Sequence, residues 1–294
     1  MKPLSSKVRR TYLAFLGALF LLALPSAILY ATGYRIGEGF GLVQTGGVFI
    51  SVPVSGAKVF INGEEQGTTG LLSRTLFVDD LEPGSYAVHV ALEGHYPWYR
   101  TLMVSPQIVT DARAILVPEK LETVALARAG AFPVASTTRV LSRAEYDTYV
   151  SAFRLATGTP ASLTQVAAAA ASLKPLPPPE DERDRIALRI NDGNLFAVWT
   201  RATSTAPSAF CVRPFSCTDT IPIEKGKEQV TYARFFRDGV LYATEEHGVF
   251  FAEPDIRATA LRIPVYPRRG ADFRIIDGAL VVQDGDALYE IRGW

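Results

Sequence analysis

The chain of 294 residues sets 30 Lys and Arg against 30 Asp and Glu, so no global field draws it to nucleic acid or to an acidic substrate. Two cysteines and three histidines supply too few ligands for a metal cage. With 48% hydrophobic and 11% aromatic residues the composition is that of an ordinary folded protein, long enough for about two domains.

Residues 1–11 form a basic tail with Lys2, Lys7, Arg9 and Arg10. Residues 12–31, YLAFLGALFLLALPSAILYA, contain no charge. At ~1.5 Å per residue such a helix spans the roughly 30 Å hydrocarbon core of a bilayer. Membrane helices tolerate a proline such as Pro25. Only Arg35 and Glu38 follow closely, so the positive-inside rule leaves 1–11 in the cytoplasm and sends everything after 31 outward. Tyr12, Tyr30 and Tyr34 stand where interfacial rings belong. A cleaved signal peptide competes with this reading. Its basic start fits, but the apolar run is long and Pro25-Ser26-Ala27 is a poor cleavage pattern. The expectation is an uncleaved anchor in the plasma membrane, with the lipid bilayer as partner of 12–31 and the bulk of the chain extracytoplasmic.

A Gly-rich tether, 32–45, leads to residues 46–118, where alternation of period two begins. Val48, Ile50 and Val52 share one face of a first strand, and Ala57 to Ile61 form a second. Asn62-Gly63 is a strong hairpin turn, because both residues accept positive φ. Leu76 to Val78 is a third strand, with Asp79-Asp80 read as part of a turn before Leu81. Leu81-Glu82-Pro83-Gly84 is a turn. Tyr86, Val88, Val90 and Leu92 alternate in a fourth strand, and Trp98 to Val104 and Arg113 to Val117 complete the set. Six short strands in this span predict a small β-sandwich.

These residues resemble the PEGA domain. The likeness rests on Ser51-Val52-Pro53, Gly56-Ala57, Val59-Phe60-Ile61-Asn62-Gly63 and Gly67-Thr68-Thr69. It continues through Leu81, Pro83-Gly84, Tyr86, Val88 and Glu93-Gly94-His95-Tyr96 with Trp98. The resemblance implies a small extracytoplasmic β-sandwich that acts as a binding or spacer module and has no catalytic residues. Within it, Tyr96, Trp98 and Tyr99 admit two readings, an aromatic surface for a carbohydrate or rings that fill the sandwich core. His89, opposite in alternation to Val88 and Val90, reads as a solvated strand residue.

From 119 the pattern changes to a helical insert and a Pro-rich linker ending at 185. Ser142 and Glu145 form a capping box for a helix over about 143–156, followed by a break at Gly158-Thr159-Pro160. The Ala-rich run 161–173 predicts a second helix, and 174–182 a stiff polar linker. Residues 186–294 read as an antiparallel β domain. Three stretches there, 186–199, 233–244 and 273–283, share a strand, an Asp-Gly pair and an alternating strand. Units of about 40 residues suggest propeller-like repeats, too few to close a ring. A partial propeller and an open or stacked antiparallel sheet both fit. The fold class expected for the whole chain is mainly β.

Cys211 and Cys217 bracket a turn, and outside the cytoplasm the pair predicts a disulfide. No Gly-x-Ser-x-Gly elbow or Walker loop occurs. His89, His95 and His247 lack zinc spacing. Asp284-Gly285-Asp286 reads as a hairpin turn, and nothing places a partner for Glu245-Glu246. No catalytic, metal or cofactor site is therefore expected. The expected function is non-catalytic binding or scaffolding in the cell envelope, with a cell-wall polymer or envelope protein as partner and no nucleic acid. The alternative is an accessory subunit of a membrane complex, in which Gly17 and Ala18 let the apolar helix pack on partner helices. An envelope hydrolase is the third reading, and it would need a cleft of clustered carboxylates.

Overall fold

The computed structural model describes residues 6–37, 41–130, 138–154, 186–200, 206–213, 216–226, 228–257 and 261–294. Apart from two α-helices and one 3-10 turn, the regular structure among them is β, with no closed barrel. Helix α1, Ser6–Ala31, runs unbroken through Pro25. An 18-residue window of its span Lys7–Ala31 has mean hydropathy 2.2 and no residue of that window is buried, so its apolar surface is left for a solvent other than water. Membrane anchors and signal peptides share this property.

The end of α1 is held by the sandwich that follows. Gly33, at φ 80°, closes the helix with its N–H on the Tyr30 carbonyl. The Thr45 N–H reaches back to the Gly33 carbonyl at 2.8 Å, and Gln107 Nε2 donates to the Thr32 carbonyl at 3.2 Å. The expected tether is not extended linker: it folds as a hairpin of Tyr34–Ile36 on Leu42–Gln44.

Two sheets make the sandwich. One has the order Val109–Arg113, Gly46–Ser51, Thr75–Leu81, its first pair parallel and its second antiparallel. The other has the order Glu64–Thr68, Lys58–Ile61, Gly84–Ala91, Trp98–Val104, all antiparallel. Val48, Ile50, Val59, Val88, Val90, Trp98 and Leu102 fill the space between them, as the alternation requires. Two expectations need correction. Asp79-Asp80 is not a turn but lies within Thr75–Leu81, where the register slips between Gly46 and Val48 and Asp80 takes φ 58°, a bulge. Arg113–Val117 is not one strand; Val109–Arg113 ends where the chain leaves the sheet, and Val117–Pro118 pairs separately with His95–Tyr96. The edge strand Glu64–Thr68 carries no sequence signal, because its polar, mostly exposed residues show no alternation.

Beyond the sandwich, three sheets stack face to face. The first has the order Ile186–Asn191, Asn194–Trp199, Thr220–Glu224. The second is Val230–Phe236, Gly239–Thr244, Gly248–Ala252, Arg262–Tyr266. The third has the order Thr138–Leu141, Glu122–Arg128, Ala287–Arg292, Ala279–Asp284, Asp272–Ile276. The middle sheet is covered on both faces. Val240, Tyr242, Phe250 and Ala252 meet the first sheet, while Leu241, Ala243, Val249 and Phe251 meet the third. Its two central strands are therefore buried at every residue and read as continuous apolar runs. Helix α2, Arg143–Arg154, closes the far face of the third sheet with Tyr149 and Phe153, and its capping box forms as expected between Ser142 and Glu145. The predicted helix 161–173 and the linker 174–182 lie outside the described residues.

The Asp-Gly signal holds at two of its three places. Asp192-Gly193 and Asp277-Gly278 sit in their hairpin loops with positive φ at both residues. In the middle repeat the loop is Arg237-Asp238, and Gly239 is already the first residue of its strand. There an added Cβ would meet the Phe251 ring at 2.2 Å, so the glycine serves packing, not the turn. The run Ala209–Val212 does not extend the first repeat; it is the 3-10 turn Ser208–Phe210 and a short separate hairpin. Asp284-Gly285-Asp286 is the hairpin turn expected.

Candidate functional site

Strand Trp98–Val104 turns Trp98, Arg100 and Leu102 inward, which places a guanidinium among core residues. Arg100 is buried, and its partners come from the segment after strand Gly248–Ala252, where Glu253, Asp255 and Arg257 alternate. Arg100 ion-pairs with Glu253 and lies 3.8 Å from Asp255. Trp98 Nε1 donates to Glu253 Oε2 at 2.9 Å. Arg257 grips Asp255 through two nitrogens, Nε to Oδ1 at 3.0 Å and Nη2 to Oδ2 at 2.7 Å, and donates from Nη1 to the Asp111 carbonyl. Two cations and two carboxylates thus cancel inside the junction between the sandwich and the stacked sheets. Burial pushes the Glu253 carboxyl up to about 7, with Asp255 adding to the rise and Arg100 and the Trp98 N–H opposing it. Apolar contact reinforces the junction, since Ile115 and Val117 enter the core between the second and third sheets.

Beside this cluster lies a cleft of about 590 Å³ with four carboxylates on its wall, Asp111, Asp238, Glu253 and Asp255. Each is engaged. Ser208 Oγ donates to Asp111 at 3.0 Å, Arg113 pairs with Asp238 at 3.0 Å, and the other two hold the arginines above. Among the described residues no group of three or more His, Cys, Asp or Glu is placed to hold a metal.

The three aromatics singled out in the sequence are not brought together. Trp98 is fully buried in the sandwich core. Tyr96 is half-buried against the distal core. Tyr99 alone faces outward, 57% exposed. On that outer face a different set assembles. His89 stacks on Tyr99 at 4.2 Å between centroids and on Phe60 at 5.3 Å, one ring from each of three neighbouring strands. His89 is therefore not a freely solvated residue. Its Nε2 has no hydrogen-bond partner among the described residues, and burial pushes its pKa down, which favours the neutral ring. A groove of about 680 Å³ runs beside the stack, lined by Tyr99, Thr101, Ile256 and Arg257 among others. The alternation exposed each ring's side, but only the cross-strand register shows that they meet.

The turn residues act as scaffold. Asn62 and Gly63 sit at φ 51° and 87°, and Asn62 Oδ1 accepts the Ala87 N–H at 2.9 Å. Gly56 and Gly94 also take positive φ, Pro83 precedes the strand opened by Gly84, and Pro53 follows the strand Gly46–Ser51. Buried Ala57 donates its N–H to Thr69 Oγ1, two residues after Gly67. Cys211 and Cys217 are joined by a disulfide across a short hairpin.

Fold and geometry define a small two-sheet module, three strands on four, placed directly after an apolar helix. Residues 45–120 match the PEGA domain family, and this module is a PEGA domain. The match classes the module and leaves α1 and the stacked sheets unclassified. No curated protein matches the chain.

Proposed function

We propose that the chain is a non-catalytic, single-pass envelope protein. In this reading α1 remains in the plasma membrane with its N-terminus in the cytoplasm, the PEGA domain is a stalk, and the stacked sheets beyond it present a binding surface to a cell-wall polymer or another envelope protein. The observation that carries the reading is continuous rigid coupling. The helix end is capped by Thr45 and Gln107 of the module, and the module is joined to the distal sheets through Arg100, Glu253, Asp255 and Arg257. The charge pairing around the cleft supports a structural use of its carboxylates.

The test is retention of the detergent-solubilised full chain on isolated cell-wall polymer, set against co-purification from membranes. Retention on the polymer supports the reading. A stoichiometric membrane partner without polymer retention would replace it by the accessory-subunit reading, which the unburied helix and the open surface at Gly17 favour. Hydrolysis of the polymer that disappears in Glu253→Gln would overturn the non-catalytic claim.

A further inference from the structure

We infer that the hairpin Tyr34–Ile36 and Leu42–Gln44 is a foot that rests in the headgroup layer of the bilayer, with Ile36 and Leu42 as its lipid-facing side chains. The inference rests on the reading of α1 as a retained anchor. Tyr34 follows Ala31 by three residues, at most about 11 Å of chain. The headgroup layer is itself several ångströms deep on each side of a roughly 30 Å core. The hairpin therefore begins at the interface, and its direction decides whether it stays there.

Its contacts turn it back toward the helix. The Arg35 guanidinium lies over the Tyr30 ring at 3.8 Å and donates to the Tyr30 carbonyl at 2.9 Å. Arg35 also pairs with Asp80 at 2.8 Å. Gly37 lies so close to the next turn that a Cβ would meet the Glu82 carboxylate at 2.7 Å. Asp80 and Glu82 mark the helix end of the sandwich, since Leu81 pairs with Gly46 there and Thr75 pairs with Ser51 at the opposite end. The hairpin is thus pinned along the membrane side of the module.

Ile36 and Leu42 are direct cross-strand partners and so share one face. They are 74% and 58% exposed among the described residues. A pair of three-residue strands is marginal in water by itself. Tyr30, also exposed at the end of α1, has the place and chemistry of an interfacial ring. The apolar pair continues the helix's own lipid contact, and a lipid surface is the partner it fits. Leu71 and Leu72 are exposed leucines too, but they precede Thr75 at the far end of the sandwich, and they provide the comparison.

The experiment uses the full chain in phosphatidylethanolamine and phosphatidylglycerol nanodiscs doped with a lipid spin-labelled near its headgroup. Both native cysteines are in the disulfide, so Ile36→Cys, Leu42→Cys, Leu72→Cys and Leu22→Cys each carry a single environment-sensitive fluorophore. Positions 36 and 42 are expected to lose most of their emission to the quencher while 72 keeps its own. Position 22 is read with a spin label deep in the acyl chain. If 22 is quenched and 36 and 42 behave like 72, the foot is overturned and the anchor stands. If 22 is not quenched, the anchor and the foot both fall.

Discussion

Replacing Arg100 by Met removes the cation between Glu253 and Asp255 and keeps the apolar length of the side chain. Arg257 stays on Asp255, so Glu253 retains only the Trp98 N–H. Truncating one partner of a buried ion pair costs about 3–5 kcal/mol, because the other charge is left uncompensated. Glu253 can relieve part of that cost by taking up a proton, which makes the cost depend on pH. In the wild type, burial holds its carboxyl at about 7 against an ordinary 4.5. Such a raised acid contributes stability that is complete below the unfolded value and is lost as pH rises through the folded one. At about 1.36 kcal/mol per tenfold the gap is worth about 3 kcal/mol. Arg100 opposes the rise, so its removal moves the carboxyl higher still. The deficit of Arg100→Met should therefore grow between pH 5, where Glu253 is neutral in both proteins, and pH 8, by up to about 1.4 kcal/mol for the one pH unit above the wild-type value of about 7. Urea unfolding of the full chain in detergent micelles, followed by tryptophan emission, measures it. A deficit below about 1 kcal/mol near pH 8, or one equal at both pH values, refutes the argument that the cluster is a charge-compensated junction.

Other perturbations test other parts of the chain. Paired Cys211→Ser and Cys217→Ser should lower unfolding free energy by about 2 kcal/mol, the chain-entropy value for so short a loop, and neither native thiol should alkylate without reductant. Gly46→Ala puts a Cβ 2.3 Å from the Ser105 carbonyl oxygen and 2.8 Å from that of Ile108. Neither backbone can yield easily, so a loss above about 2 kcal/mol in the same urea assay is expected, and a neutral result would contradict the close approach. Asn62→Ala removes the acceptor for the Ala87 N–H and a residue suited to positive φ, for a loss of about 1–2 kcal/mol. A topology reporter fused after residue 120 should be active only outside the cytoplasm; activity inside would reverse the orientation.

The PEGA domain was legible because its information is local: alternation, Asn62-Gly63 and the glycines each act over a few residues. Asp79-Asp80 misled because the same acidic pair suits a turn or a bulge, and the register against Gly46 and Val48 decides between them. Glu64–Thr68 was invisible because an exposed edge strand needs no apolar face. The junction had half a signal. Alternation in WYRTLMV already puts Arg100 on the face of Trp98 and Leu102, and a buried guanidinium demands a carboxylate. Which one, Glu253, lies more than 150 residues away and no local pattern points to it. The stack of Phe60, His89 and Tyr99 failed to appear for the same reason, since each ring is ordinary within its own strand.

The pairing of Glu122–Arg128 with Ala287–Arg292 has a consequence for the order of assembly. Chain synthesis delivers Leu126 more than 160 residues ahead of Leu288, which lies opposite it. Until then, among the described residues, the short parallel strand Thr138–Leu141 is what pairs with one edge of that strand. The strands of the PEGA domain, complete by residue 120, face no such delay in pairing, and within it Arg100 and Trp98 wait for Glu253. The domain is poised to fold first and to offer Ile115 and Val117 as a preformed apolar seed for the sheets that follow. The distal sheets then close late and cooperatively, and an interrupted chain leaves a bare strand edge of the kind that invites pairing with another molecule.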